Sequence, residues 1–166
     1  MGRNGAFWGI RAPNSPMSSS GNTIYSGRFE HTLDDKNRLT IPSLWRWAHT
    51  DTETFLAIPH PDSYIAVLPP ARVAKLLTQV SEMKISDREA QAVKAKIFSE
   101  ALSFTFDKQG RFGISPDLLR HAGIAKDAVL SGMGDTFNSL RPARWTDLQR
   151  TTAGENFGDM VRRIGL

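Results

Sequence analysis

Apolar and polar residues alternate with a period of two in several short segments of the chain, a pattern typical of half-buried β-strands. The alternation predicts strands at about 24–33, 38–41, 54–59, 63–68, 127–132 and 136–140. The strands follow one another through short connections and are interrupted by helical segments. This arrangement predicts an α+β fold with a mixed β-sheet and added helices.

Helices are predicted where apolar residues recur at intervals of three and four. Two longer helices are expected behind the prolines at 69–70 and behind a capping pair at 86–87, and short helices are expected to begin at 42–43 and 115–117. Trp45 and Trp47 cannot both face inward on one short helix, so one of them is expected at an interface.

The chain contains an internal repeat. Segment 33–45 aligns with 106–118 at an offset of 73, which matches Asp34 with Asp107 and Arg38 with Arg111. Segment 61–73 aligns with 134–145 once one residue is dropped, and both segments contain the tripeptide Pro-Ala-Arg. Two identities on nearly one register predict two tandem copies of one unit.

The repeat suggests boundaries along the chain. We expect a first unit at 23–84, an inserted helix at 85–99 and a second unit at 100–151. Residues 1–22 are expected to be a disordered N-terminal tail without the apolar stretch of a secretory signal, and residues 152–166 a C-terminal tail. One hypothesis is that translation starts at Met17.

Each copy carries an Asp-x-x-x-Arg motif between its first two strands, which predicts a β-hairpin. Asn37 and Gly110 occupy the same place in the motif, and both residue types accept a positive φ, so a left-handed turn residue is expected there. Asp34 and Asp107 are interpreted as turn residues whose carboxylates accept backbone amides.

The arginines of the two motifs allow two interpretations. In one, Arg38 and Arg111 pair with the aspartate four positions earlier. In the other, they are exposed at hairpin tips beside Lys36 and Lys108. A basic two-stranded ribbon fits the major groove of DNA, where arginine can contact guanine while lysine contacts phosphate.

Composition limits the other classes of function. Lys and Arg number 21 against 17 acidic residues, and the pI near 9.7 favours a polyanionic partner. No apolar run approaches the ~20 residues of a membrane span, and the absence of cysteine suits a reducing cytoplasm. The histidine spacing matches no metal motif, so no enzyme, metal or cofactor is expected; a hydrolase would require His49, His60 and Asp62 to converge on one ion.

The two motif blocks resemble those of a known family. GRFEHTLDDKNRLTIPSLWR and DKQGRFGISPDLLRHAGIAKDAVLSGMGDTF are similar to the two signature blocks of MraZ, and the resemblance covers roughly residues 25–150. It implies two AbrB-like units in one pseudo-twofold subunit, assembled as a homo-oligomeric ring of about eight to twelve chains. It also implies a cytoplasmic, nucleoid-associated repressor that binds direct repeats in the promoter of the division and cell-wall gene cluster.

The resemblance assigns DNA contacts residue by residue. The arginines of the two family motifs are Arg38 and Arg111, with Lys36 and Lys108 beside them and Arg28 in the preceding strand as a further candidate. The alternative is a ring-forming interaction scaffold that does not bind DNA.

Overall fold

The computed structural model describes residues 23–166, so the predicted N-terminal tail and the Met17 hypothesis lie outside the described residues. The described chain folds into eight strands and six helices. In chain order these are β1 (Arg28–Thr32), β2 (Arg38–Thr40), α1 (Ser43–Arg46), β3 (Phe55–His60), β4 (Tyr64–Leu68), α2 (Pro70–Ser81), α3 (Arg88–Glu100), β5 (Leu102–Phe104), β6 (Arg111–Gly113), α4 (Pro116–Ala122), β7 (Asp127–Gly132), β8 (Phe137–Leu140), α5 (Pro142–Thr152) and α6 (Phe157–Arg163).

The strands form one large sheet and one small ribbon. The sheet has six strands in the order β1-β7-β8-β4-β3-β5, and the ribbon consists of β2 and β6. The predicted α+β class is confirmed. Every strand pairing in the described residues is antiparallel, whereas the expected mixed sheet would also contain parallel pairs.

The predicted hairpin between the segments at 24–33 and 38–41 is wrong in its pairing. β1 pairs with β7, and β2 pairs with β6, so the strands on either side of each motif find partners in the other half of the chain. The exchange places Leu39 directly opposite Phe112, and both side chains are buried. One half of so short a chain buries little apolar surface alone, whereas the exchanged strands let both halves share one core.

The six-stranded sheet reads the same from either edge when each strand is replaced by its counterpart 73 residues away. β1 then corresponds to β5, β3 to β7 and β4 to β8. At the centre, the pairs Ile65–Ser139 and Ala66–Asn138 are exchanged by the same offset. The two halves of the chain therefore interleave in a single sheet.

The main core lies between one face of the sheet and a layer formed by the ribbon, α1 and α4. Trp45 of α1 is fully buried, with its ring centroid 5.0 Å from that of Phe137 in the sheet. Phe112 of the ribbon stacks at 4.3 Å on Phe104. α2 and α5 contact β3 and β7 and complete the packing. The ribbon is thus fixed to the sheet by its inward side chains, and its other face is turned away from the core.

The helix ends follow from local sequence. Proline occupies the first turn of α2, α4 and α5. Ser115 caps α4 by accepting from the backbone N–H of Leu118, and Gly123 ends it with a left-handed φ of 64°. α3 falls at the expected inserted helix, whereas α6 lies in the segment expected to be a tail. In the described residues, no helix combines the length and apolar character that a membrane span requires.

Candidate nucleic-acid interface

The first loop, residues 34–37, leads into β2 and is organised by one carboxylate. Oδ1 of Asp34 accepts the backbone N–H groups of Lys36 and Arg38, each at 2.9 Å. Oδ2 accepts Nε–H of Arg38 at 2.7 Å. The turn closes through Asn37, whose φ of 56° lies in the left-handed region. One side chain therefore fixes both the backbone of the loop and the direction of the arginine that follows it.

The second loop, residues 107–110, repeats this geometry before β6. Oδ1 of Asp107 accepts the backbone N–H groups of Gln109 and Arg111 at 2.9 Å, and Oδ2 accepts Nε–H of Arg111 at 2.8 Å. Gly110 takes the left-handed position with a φ of 72°. The corresponding bonds in the two loops agree within 0.1 Å, so the matching sequence motifs build matching structures.

The hydrogen bonds keep both carboxylates ionised. Partial burial raises the pKa of Asp34, but the backbone and side-chain donors of Arg38 and the amide of Lys36 outweigh it, so this pKa lies below its usual value. The pKa of Asp107 is lowered chiefly by the backbone N–H of Arg111, against a smaller opposing effect of burial. Each loop therefore retains a negative charge that orients its arginine.

The two arginines lie at the first position of each ribbon strand, not at exposed loop tips. Each side chain is 28% exposed because its Nε is bound to the aspartate of its own loop. Nη1 of Arg111 also lies 3.8 Å from Oδ2 of Asp34, which connects the two loops across the ribbon. Two arginines and two aspartates cancel in formal charge. The four side chains therefore make the ribbon surface polar and hold the guanidinium groups in fixed directions, without adding a net charge.

The lysines and Arg28 have different surroundings. Lys36 and Lys108 are exposed on the two loops, beside the arginines. Arg28 lies on the edge strand β1, where its guanidinium carbon is 5.5 Å from the ring centroid of Trp145. It is separated from Asp34 by about 20 Å of extended chain. The structure brings the two lysines and two arginines together, but not Arg28.

Arg46 is a residue of this surface that the sequence reasoning missed. Its Nη1 donates to the backbone carbonyl of Gln109 at 2.8 Å, and its side chain lies over Gly110. The repeat provides no signal for it, because the counterpart 73 residues on is Leu119. The second loop is thus braced by α1 from the first half of the chain.

The three residues required by a metal-dependent hydrolase do not form a metal-binding group, because His49 has other partners. His49 bonds to the hydroxyl of Tyr25 and, at 2.7 Å, to the carboxylate of Glu53. His60 lies beside Asp62, with Nδ1 3.8 Å from Oδ2. Within residues 23–166, no three histidine or acidic side chains are grouped in a way that could hold a metal ion.

Comparison with known proteins identifies the family. A family model described as "MraZ protein, putative antitoxin-like" matches residues 97–164. The chain is also 31% identical over 141 residues to the transcriptional regulator MraZ of Leuconostoc citreum, a match that covers 85% of this chain and 96% of the relative. The chain belongs to the MraZ family. Similar MraZ relatives occur in Thermomicrobium roseum, at 31% identity over 80% of this chain and 92% of the relative, and in Lactiplantibacillus plantarum, at 30% over 85% and 98%.

The aligned region shared with the MraZ relatives includes both loops described above. A match of 141 residues leaves too little of a 166-residue chain uncovered to omit either loop. The family model also extends through α6, which lies in the segment expected to be a tail. These relatives are named as regulators of transcription, and by family the chain is a transcriptional regulator.

Proposed function

We propose that this MraZ chain regulates transcription by binding double-stranded DNA with its two loops and the outer face of the β2–β6 ribbon. The observation that carries the proposal is the pair of matching Asp–Arg loops on one two-stranded ribbon, with a lysine exposed on each. A two-stranded ribbon fits the width of the major groove. Repression at direct repeats in the promoter of the division and cell-wall cluster is proposed from the family resemblance.

The bound arginines remain able to recognise a base. Arginine has five N–H donors, and the aspartate takes only the one on Nε, so the two Nη groups keep the donors needed for a bidentate contact to guanine. Because Asp34 and Asp107 already fix the side chains, Arg38 and Arg111 lose little conformational freedom on binding. The aspartates in this proposal position the arginines and do not contact DNA.

The lysines attract the DNA phosphates whatever the base sequence of the duplex. The ribbon arginines are balanced by aspartates, whereas Lys36 and Lys108 are exposed cations within the loops that can contact phosphates. The formal net charge of +4 acts in the same direction over longer distances. Lysine contacts are therefore proposed to set affinity and salt dependence, and arginine contacts to set sequence preference.

We further propose that the chain consists of two tandem AbrB-like units related by an internal twofold axis. The palindromic strand order and the matched hydrogen bonds of the two loops support this division. The resemblance adds a homo-oligomeric ring of about eight to twelve such chains in the cytoplasm, at the nucleoid. A ring would repeat the loops at fixed intervals, which would favour repeated DNA sites through avidity.

Titration of a labelled duplex from upstream of the chain's own gene tests the proposal. Arg38→Ala is expected to weaken binding by about 5- to 160-fold at fixed salt, because a bidentate guanine contact contributes about 1–3 kcal/mol. Arg38→Lys should retain the salt dependence and lose preference over a scrambled duplex. The control is Arg150→Ala, an exposed arginine on α5 that pairs with Asp147; its affinity should stay within twofold of wild type.

Three outcomes would contradict the proposal. The first is an Arg38→Ala variant that folds normally, as judged by its circular dichroism spectrum and subunit assembly, and still binds with wild-type affinity. Arg150→Ala could weaken binding as much as Arg38→Ala. An assembled wild-type protein that binds no DNA would favour the interaction scaffold instead.

A further inference from the structure

A groove of about 470 Å³ lies between α1 and the second loop, and its lining includes Arg46, Trp47, Lys108 and Gly110. Arg46 donates from Nη1 to the carbonyl of Gln109 at 2.8 Å, while its buried Nε has no hydrogen-bond partner within residues 23–166. A side chain on Gly110 would meet the guanidinium of Arg46, so glycine at this position keeps the cation in the groove. The groove therefore holds two cations, one of them fixed in position.

The two cations of this groove have no cationic counterparts at the first loop. At the counterpart positions, 73 residues away, the arginine is replaced by the buried Leu119, the lysine by Asp35 and the glycine by Asn37. The backbone geometry of the two loops is the same, but their surroundings differ in charge. Beside the second loop, Arg46 and Lys108 outnumber Asp51. At the first loop, Lys36 is balanced by Asp35, and Arg120, the counterpart of Trp47, pairs with Asp117. Phosphate groups would meet a more favourable potential at the second loop.

The acidic groups of the groove reduce this difference in charge but do not reverse it. The carboxylate of Asp107 is held by the amides of its own loop and by Arg111. Asp51 is exposed at the groove and opposes an anion there. Trp47, with 84% of its surface exposed, provides a flat apolar wall that suits the sugar of a nucleotide.

We propose that this groove binds a phosphodiester segment of the DNA duplex, with Arg46 and Lys108 as phosphate contacts, and that the second loop is consequently the stronger of the two DNA contacts. The inference rests on the proposed function and deepens it, because the matched loops by themselves imply equal roles. Arg46 also positions the second loop through Gln109, so loop geometry and phosphate binding have to be separated by experiment.

The salt dependence of duplex binding separates them. In the full chain, Arg46→Gln and Lys108→Gln should each weaken binding roughly three- to tenfold near 0.15 M salt and lower the slope of log K against log salt by about 0.9, the value of one phosphate contact. Lys36→Gln should lower affinity by less than half as much. Asp51→Asn should strengthen binding. The control Lys75→Gln, at an exposed position on α2, should change affinity by less than twofold.

Trp47 provides a readout that does not depend on affinity. Adding duplex to the wild-type chain should change tryptophan emission, and the change should be reduced in Trp47→Phe, whereas free inorganic phosphate at the same salt should cause none. If wild type fails to bind duplex, the proposed function itself fails. If wild type binds but Arg46→Gln leaves the slope unchanged, or Lys36→Gln and Lys108→Gln act equally, the groove assignment is overturned while DNA binding stands.

Discussion

Replacing Gly110 by alanine should destabilise the protein more than the matched change at Asn37. Both residues have a left-handed backbone, with φ of 72° and 56°. Only Gly110 is covered, because its added Cβ would come within 1.8 Å of Nη1 and 2.2 Å of Cδ of Arg46. Since those atoms belong to a flexible side chain, Arg46 can move aside, but it then gives up its hydrogen bond to the carbonyl of Gln109.

The magnitude follows from these two effects. Alanine in the left-handed region costs about 1 kcal/mol relative to glycine. Loss of a partly exposed, charge-assisted hydrogen bond costs about 1 to 1.5 kcal/mol more. Gly110→Ala should therefore lower the free energy of unfolding by about 2 to 2.5 kcal/mol. Asn37→Ala should lower it by less than about 1 kcal/mol, since asparagine already tolerates that backbone less well than glycine.

A double-mutant cycle measures the contribution of Arg46. Urea unfolding of wild type, Gly110→Ala, Arg46→Ala and the double variant, at one protein concentration, should give a coupling free energy of about 1 kcal/mol. Once Arg46 is removed, alanine at 110 should behave like alanine at 37. A coupling below about 0.3 kcal/mol would show that the guanidinium does not rest on Gly110 and would refute the reasoning.

Three other predictions concern titration and packing. Asp34 and Asp107 have pKa values below their usual one, so their stabilisation is complete above the ordinary carboxyl pKa and is lost as pH falls through the lowered values, below about pH 4; unfolding followed against pH should show a shallower acid loss in the double Asp→Asn variant. Tyr25→Phe removes the hydroxyl bonded to the buried ring of His49 and should cost about 1 to 3 kcal/mol in urea unfolding. Gly132→Ala places a Cβ 2.3 Å from the backbone oxygen of Tyr25 and should lower stability by about 1 to 3 kcal/mol, seen as a lower melting temperature.

The elements that depend on local sequence were predictable. The alternation of apolar and polar residues predicted β7 at its observed bounds, 127–132, and β8 with one bound off by one residue. It could do so because every second residue of a half-buried strand faces the core and is apolar. The geometry of a short helix allowed only one of Trp45 and Trp47 to face inward, and in the structure Trp45 is fully buried while Trp47 is exposed. The left-handed φ expected of Asn37 and Gly110 is likewise a local property.

Properties that depend on distant partners were not predictable. β2 and β6 are three residues long, and nothing in so short a segment specifies which strand it pairs with. The exposure of Arg38 depends on that pairing and on Asp34, and a single motif was compatible with both an exposed and a paired arginine. Arg46 reaches a carbonyl 63 positions away, a contact that local patterns do not record. The helix α6 begins after a polar stretch that resembled a tail.

Amide hydrogen exchange on the full chain, with and without duplex DNA, tests the central claim most directly. The account predicts added protection in residues 34–40 and 107–113, together with the neighbouring part of α1, and little change in α2 and α3. Protection confined to the helices, or unchanged exchange in both loops under conditions where the duplex is bound, would contradict the assignment of the β2–β6 ribbon as the DNA-binding surface.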